Sequence, residues 1–169
     1  MDHPSIRYAL CIGTVAVVQY ALISQFRLFG VSADLLLVLA IAAGIHSGRE
    51  RGALVGFACG LCLDLMVTTP FGLGAVSCLA ASVTASLMAD ATVHAARRLI
   101  GVVALAAAVV GVLAFAVGGS LLGQSGMLDG HLPTVAAIVG LTSALLVFPA
   151  VRLCQWADPE EHRIRAAAR

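Results

Sequence analysis

Residues 31–77 read VSADLLLVLAIAAGIHSGRERGALVGFACGLCLDLMVTTPFGLGAVS, two apolar segments joined by a polar turn. The segments, 31–45 and 52–66, are 15 residues each, and the turn between them is HSGRER. Asp34 lies near the start of the first segment and Asp64 near the end of the second. If the segments form a helical hairpin, both carboxyls lie at the same end of it. An acidic group at membrane depth costs roughly 2.5–3.5 kcal/mol to insert, so this pair predicts a packed polar site or an interaction surface.

The composition predicts an integral membrane protein. Hydrophobic residues make up 60% of the 169 positions and charged residues 11%, and the mean hydropathy is +1.01. Soluble domains average about 25% charged residues, so this chain has too few to cover a water-facing surface. All ten basic residues are arginines, and the net charge is +1. That balance argues against nucleic-acid binding, which would need a basic face.

The hydropathy pattern predicts an all-α membrane protein, a compact bundle of six transmembrane helices forming one domain over 1–169. Crossing the hydrocarbon takes roughly 17–25 helical residues, so the two 15-residue segments are marginal alone and are counted as a pair. With six spans and both termini cytoplasmic, nine of the ten arginines lie inside and only Arg27 lies outside, as the positive-inside rule requires. The predicted spans are 8–26, 31–45, 52–66, 72–88, 99–122 and 132–153.

Small residues predict close helix packing in the second half of the hairpin. Gly52, Gly56 and Gly60 are spaced by four residues, and Asp64 continues the same series. Such a stripe lets two helix backbones approach closely. The helix opposite the stripe is either another helix of this chain or the transmembrane helix of a partner, and the sequence leaves both alternatives open.

The two aspartates have two interpretations. Asp34 can cap the exposed N–H groups at the start of its helix, where the helix dipole also favours a negative charge. Asp64 precedes a turn containing Pro70 and Gly72 and is placed to accept hydrogen bonds from it. Structural capping predicts that Asn can replace either aspartate and that Leu cannot. The alternative is a shared protonation site, as in a proton-coupled carrier.

No pattern in the sequence indicates catalysis, a metal or a cofactor. Cys59 and Cys62 have the spacing of a C-x-x-C motif, but they lie in an apolar helix without a second Cys or His pair nearby. Free cysteine behaves as a small apolar residue, so packing is the favoured interpretation. The five histidines lie in predicted loops and tails. We therefore expect a protein that is not an enzyme and that has no cofactor.

Three motifs of the central block carry a family resemblance. They are SADLLLV at 32–38, RGALVGF at 51–57 continuing into GLCLDL at 60–65, and TPFGLG at 69–74. These resemble the rod shape-determining MreD family. The family pattern is a Pro-Asp-Leu start, a G-x-x-x-G-F-x-x-G-x-x-x-D helix and a T-P-x-G-L turn. Ala33 stands where the family often has Pro.

The resemblance implies a non-enzymatic scaffold of the cell-elongation machinery in the bacterial inner membrane. Members of the family pair with MreC, a single-span membrane protein, and connect MreB filaments with wall-synthesis enzymes, which supports peptidoglycan synthesis and cell-shape control. The partner-binding or structural candidates are then Asp34, Gly52, Gly56, Gly60, Asp64, Pro70 and Gly72.

A second function follows from the same resemblance. The family's bundle is similar to the substrate-binding membrane subunits of energy-coupling-factor vitamin transporters. The alternative is therefore a small-molecule-binding subunit of a transporter, with an outward cavity. The polar or aromatic residues that could line such a cavity are Gln19, Tyr20, Gln25, Asp34, Asp64 and Thr68.

Overall fold

The computed structural model describes residues 4–23, 34–67, 71–91, 98–123 and 132–158, and these residues form five α-helices. The predicted all-helical class is therefore confirmed. In chain order, the helices are α1 (Pro4–Ile23), α2 (Leu35–Met66), α3 (Leu73–Ala91), α4 (Arg98–Leu121) and α5 (Leu132–Ala157).

Helix α2 is a hairpin that reverses at Gly48. This glycine has φ 77° and ψ −174°, a left-handed backbone conformation that L side chains rarely adopt. We call the half before Gly48 α2a and the half after it α2b. A Cβ atom built on Gly52 would lie 2.7 Å from the Cα atom of Gly44. In a straight helix these residues would be about 12 Å apart along the axis, so the predicted turn at HSGRER is present.

Contacts between distant residues define two ends of the bundle. Tyr8 near the start of α1 bonds to Ser47 at the hairpin turn, which places both at what we call the turn end. Gln19 near the end of α1 bonds to the start of α2a at Leu36, at what we call the cap end. Gly118 near the end of α4 lies against Leu73, the first residue of α3, also at the cap end. Consecutive helical segments therefore run antiparallel to each other, with α2a and α2b counted as separate segments.

Helix α2a forms the centre of the bundle. The eight residues from Leu36 to Ala43 are each at most 3% exposed. A helix that is apolar on every side is typical of a position enclosed by other elements. Helix α2 contacts each of the other four helices, and Leu37 reaches as far as Gly111 of α4. The first half of the hairpin is therefore covered by protein.

The predicted count of six spans is not what the structure shows. Among the described residues, three helices are long and apolar enough to cross a membrane: Leu73–Ala91, Leu99–Leu121 and Pro133–Ala157. The apolar part of α1, Ile6–Ala21, is shorter. The halves of α2 are about 20 and 27 Å long at 1.5 Å per residue, against roughly 30 Å of hydrocarbon. The count differs because the apolar parts of α1 and of the two halves of α2, three of the six predicted spans, are each shorter than a full crossing of the hydrocarbon.

Candidate functional site

The glycine stripe of α2b packs within the chain. A Cβ atom on Gly60 would lie 2.3 Å from the carbonyl oxygen of Gly74, and one on Gly56 would lie 2.7 Å from the Cβ atom of Ser82. Both neighbours belong to α3, while Gly52 faces Gly44 of α2a. Of the two alternatives that the sequence leaves open, the stripe therefore contacts helices of this chain.

Ser82 joins three helical segments at the closest point of this packing. Its side chain is fully buried, and its hydroxyl donates a 2.7 Å hydrogen bond to the carbonyl oxygen of Gly52 in α2b. A Cβ atom on Gly44 of α2a would lie 2.3 Å from the Ser82 carbonyl oxygen. Glycine is required at these contacts because the backbones themselves meet. Ser82, a small polar residue, therefore gives this crossing a hydrogen bond as well as packing.

The Asp64 carboxylate caps the N-terminus of α3. Its Oδ2 accepts hydrogen bonds from the backbone N–H groups of Gly72 at 2.8 Å and Ala75 at 3.2 Å. Its Oδ1 accepts one from Gly74 N–H at 2.8 Å. The first N–H groups of a helix have no partner within the helix, and here a buried carboxylate, 5% exposed, satisfies three of them. The capping predicted for Asp64 is present.

Two glycines of the turn make room for this cap. Gly72 has φ 104°, a conformation that favours glycine. A Cβ atom on Gly74 would lie 2.6 Å from Asp64 Oδ1, so a side chain there would displace the carboxylate. The described part of this turn, from Phe71 to Gly74, thus leaves room for the Asp64 carboxylate. Pro70, another candidate from the sequence, lies outside the described residues.

Asp34 and Gln19 together cap the N-terminus of α2a. Asp34 Oδ1 accepts hydrogen bonds from Leu37 N–H at 3.1 Å and from Gln19 Nε2 at 3.2 Å. The other end of the Gln19 amide, Oε1, accepts a 2.9 Å bond from Leu36 N–H. Gln19 is 2% exposed. The predicted cap at Asp34 is present, and Gln19 of α1 extends it, a role that the sequence analysis missed.

A second polar cluster lies at the turn end. Arg51 donates a 2.9 Å hydrogen bond from Nη1 to Asp158 Oδ2. His46 Nε2 lies 3.4 Å from the backbone carbonyl oxygen of Asp158. The hydroxyls of Tyr8 and Ser47 share a buried hydrogen bond. The hairpin turn is thereby tied to the start of α1 and to the end of α5.

The two aromatic residues of the turn end differ in their surroundings. Trp156 is 60% exposed, and the Arg7 guanidinium lies over its ring at 5.7 Å from the centroid. Cation–π contacts of this kind form within about 6 Å. Tyr8 is instead 7% exposed and belongs to the core. Of the pair, Trp156 has the exposure of an interfacial residue.

The described part of the chain has, among its grooves, two that open on the side of the bundle. The first, between α1 and α2b, encloses about 450 Å³, and the second, between α4 and α5, about 720 Å³. The second groove is lined by Leu105, Val109, Leu113, Pro133, Ala136, Ala137 and Leu141. The first combines apolar walls with an ion pair and is lined by Tyr8, Ala9, Ile12, Arg51, Leu54, Val55, Ala58 and Asp158.

Four of the residues predicted to line a ligand cavity are described, and three of these are used in helix caps. Gln19, Asp34 and Asp64 bond to helix N-termini inside the fold, and Tyr20 is 72% exposed on the outside of α1. Gln25 and Thr68 lie outside the described residues. In the part of the chain that the structure describes, no group of three His, Cys, Asp or Glu residues is arranged to hold a metal, and the cysteines at positions 11, 59, 62, 78 and 154 are free thiols.

Comparison of the chain with protein-family models, with curated proteins and with solved structures finds no match.

Proposed function

We propose that this protein is a non-enzymatic scaffold of the bacterial inner membrane that acts in cell elongation. Its partner would be an MreC-like single-span protein, connected in turn with MreB filaments and wall-synthesis enzymes. The motif resemblance at 32–74 supports this proposal. The bundle would then be related in shape to the substrate-binding subunits of energy-coupling-factor transporters, with its function carried by the outer surface.

The observation that carries the proposal is the use of the two aspartate side chains as helix caps. Asp64 accepts three backbone hydrogen bonds, and Asp34 shares a cap with Gln19. These groups hold helix ends in place, which is what a scaffold needs from its interior. The outer surface carries large apolar side chains, including Leu65, Leu121 and Leu145, which are 77%, 83% and 69% exposed. A surface of this kind suits lipid and the transmembrane helix of another protein.

The arginines support an orientation with the turn end in the cytoplasm. Arg7, Arg49, Arg51, Arg98 and Arg152 all lie toward the turn end of their helices. The described residues of the cap end contain no Lys or Arg. By the positive-inside rule, this asymmetry favours a cytoplasmic turn end.

Reporter fusions test this orientation. We expect a reporter fused after Ala91, at the end of α3, and one fused after Asp158 to give a cytoplasmic signal. A reporter fused after Gly123, at the end of α4, should give an external signal. Alkaline phosphatase fusions report the external side of the membrane, and green fluorescent protein fusions report the cytoplasmic side. An external signal at Ala91 would show that the orientation is the opposite of the one proposed.

The substitution Asp34→Asn distinguishes the scaffold hypothesis from the hypothesis of a proton-coupled carrier. Both Asp34 bonds described above end on Oδ1, and an Asn side chain keeps an acceptor oxygen there. Because Asn is about as good an N-cap as Asp, we expect capture of the single-span partner within about twofold of wild type. The measurement is co-purification of the tagged protein in detergent with the co-expressed partner, followed by complementation of a null strain for cell shape.

A single-span protein of the same length with an unrelated helix sequence is the control for capture. A carrier requires a group that can take up and release a proton, so Asp34→Asn would abolish the activity of a carrier. The scaffold proposal would be wrong if Asp34→Asn failed to complement at normal expression and the wild type bound a vitamin-like small molecule. The protein would then be a transporter subunit.

A further inference from the structure

Exposed apolar side chains cover helices of unequal length around the bundle. On one side, Leu54 and Leu65 of α2b and Val76 of α3 are 71%, 77% and 56% exposed. On another side, Val117 of α4 and Leu145 of α5 are 50% and 69% exposed. We call the surface of α2b and α3 the short face and the surface of α4 and α5 the long face.

Polar groups bound the short face at both ends. At the turn end, Arg51 of α2b is paired with Asp158. At the cap end, the Asp64 carboxylate caps α3. It lies 13 positions after Arg51, which is about 20 Å along the helix. Helix α2b ends at Met66, and Val67 after it is extended. Helix α3, which runs back, has 19 residues and is about 28 Å long. The short face is therefore between about 20 and 28 Å high.

The helices of the long face are longer than the hydrocarbon of a bilayer is thick. The apolar segments Leu99–Leu121 of α4 and Pro133–Ala157 of α5 have 23 and 25 residues, which is about 35 and 38 Å. The hydrocarbon core is roughly 30 Å thick. A helix that is too long can tilt until it fits, whereas a helix that is too short is accommodated when the bilayer thins beside it. The long face thus fits an ordinary bilayer, and the short face does not.

The two faces cannot adjust to each other by sliding. A Cβ atom on Gly60 of α2b would lie 2.3 Å from the carbonyl oxygen of Gly74 in α3. A Cβ atom on Gly111 of α4 would lie 3.1 Å from the Cβ atom of Ala81 in α3. Ser77 of α3 also donates a 2.8 Å hydrogen bond to the carbonyl oxygen of Gly111. Because these contacts hold α2b, α3 and α4 together, the difference in height falls on the lipid.

We propose that the short face binds phospholipids with short acyl chains, and that the bilayer is several ångströms thinner there than at the long face. Lipid is the occupant that fits, because its chain length can match the height of the face. The transmembrane helix of a partner needs roughly 17–25 residues to cross the membrane, so it would meet the same mismatch. The inference goes beyond the proposed scaffold function, since this lipid preference does not depend on which protein is captured.

Tyr20 of α1 gives independent support. Helix α1 lies beside α2b, across the groove that both helices line. Arg7 of α1 lies over Trp156 at the turn end. Tyr20 is 72% exposed and follows Arg7 by 13 positions, which is about 20 Å. Tyrosine is enriched at membrane–water interfaces, where its hydroxyl reaches water. An ordinary bilayer would leave this hydroxyl roughly 10 Å inside the hydrocarbon, and a thinner one brings it closer to the boundary.

Tryptophan fluorescence of the full-length protein in phosphatidylcholine vesicles tests the proposal. Trp156 is the only tryptophan of the chain, so Trp156→Phe gives a background without tryptophan. To this background we add Leu65→Trp on the short face or Leu113→Trp on the long face, which replace leucines that are 77% and 48% exposed. These positions follow the turn-end arginines Arg51 and Arg98 by 14 and 15 residues, about 21 and 22 Å. The two probes are therefore matched in height.

The first measurement compares the depth of the two probes in dioleoyl phosphatidylcholine. Lipids brominated near the headgroup should quench Leu65→Trp more strongly than lipids brominated near the chain ends, because the thinner bilayer brings its boundary close to this probe. Leu113→Trp should show the reverse order, since it lies about 7 Å from the middle of a hydrocarbon core of roughly 30 Å.

The second measurement varies the chain length of the lipid. Dimyristoleoyl and dierucoyl phosphatidylcholine, which have short and long chains, compete with the brominated lipid at each probe. At Leu65→Trp we expect the shorter lipid to bind about threefold more tightly, because the cost of mismatch rises with each ångström. At Leu113→Trp the two lipids should differ by less than about 1.5-fold, since a long helix can tilt.

Three results would overturn the proposal. The same bromine position and the same chain-length preference at both probes would mean that the bilayer is equally thick at the two faces. Quenching of Leu65→Trp by aqueous iodide but not by brominated lipid would mean a water-filled recess. Quenching by neither would mean that another protein chain covers the face. If Leu65→Trp does not fold, Phe71→Trp takes its place with the same expected results, because Phe71 is 69% exposed at the cap end of α3.

Discussion

Replacing Gly60 with alanine is expected to destabilise the protein by about 3 kcal/mol, the upper part of the range for overpacked cores. The added Cβ atom would lie 2.3 Å from the carbonyl oxygen of Gly74 and 2.4 Å from the Cα atom of Ala75. Both are backbone atoms of α3, so they can move only if the helix moves. That shift would also disturb the N–H groups of Gly74 and Ala75, which bond to Asp64. Thermal unfolding in detergent, followed by size-exclusion chromatography, measures the loss.

Two other glycines provide matched controls for the Gly60 substitution. A Cβ atom on Gly118 would meet the Cδ2 atom of Leu73 at 2.7 Å, the end of a flexible side chain that can rotate away. A Cβ atom on Gly13 meets no atom within 4 Å. Alanine has the higher helix propensity by about 0.8–1.0 kcal/mol, so Gly13→Ala should be neutral or stabilising. Equal losses at Gly13, Gly60 and Gly118 would mean that backbone contact between α2b and α3 is not what the glycine stripe provides.

The hairpin could be predicted from sequence because its signals are local. Two apolar segments of equal length flank a polar turn, and Gly48 within that turn supplies the left-handed conformation that reverses the chain. The caps could be predicted for the same reason. Asp34 directly precedes the first residue of α2, and Asp64 lies eight residues before Gly72, one of its donors.

The number of spans could not be predicted, because hydropathy does not distinguish lipid from protein as the apolar surroundings of a helix. Residues 36–43 are as apolar as a lipid-facing segment, yet they are enclosed by the rest of the bundle. Length is the only remaining signal. At 15 residues, the two predicted segments fall below the roughly 17–25 residues of a span.

The polar contacts at the turn end could not be predicted, because they join residues that are far apart in sequence. Arg51 and Asp158, for example, are separated by 107 positions. Gln19 was predicted only as one of the polar or aromatic residues that could line an outward ligand cavity, although a buried amide also needs hydrogen-bond partners. The structure supplies those partners from the cap of α2a, and no pattern within α1 indicates them.

The structure also changes what is expected of the two aspartates. The sequence predicted that Asn could replace either of them. At Asp34 both described bonds end on one oxygen, which Asn retains. At Asp64 both oxygens accept backbone N–H groups, Oδ1 from Gly74 and Oδ2 from Gly72 and Ala75. An Asn side chain has only one acceptor, so either orientation of its amide directs an NH₂ group at a backbone N–H.

Asp64→Asn is therefore expected to destabilise the protein by at least about 1–3 kcal/mol, the cost of one unsatisfied buried donor, and Asp64→Leu by more because it leaves three. Asp34→Asn should remain close to wild type. Thermal unfolding of the three variants in the same detergent gives the ranking, and the partner-capture assay should follow it. If Asp64→Asn is as stable as wild type yet fails in complementation, the negative charge of Asp64 has a role beyond capping. Proton transfer at the cap end would then become the leading interpretation.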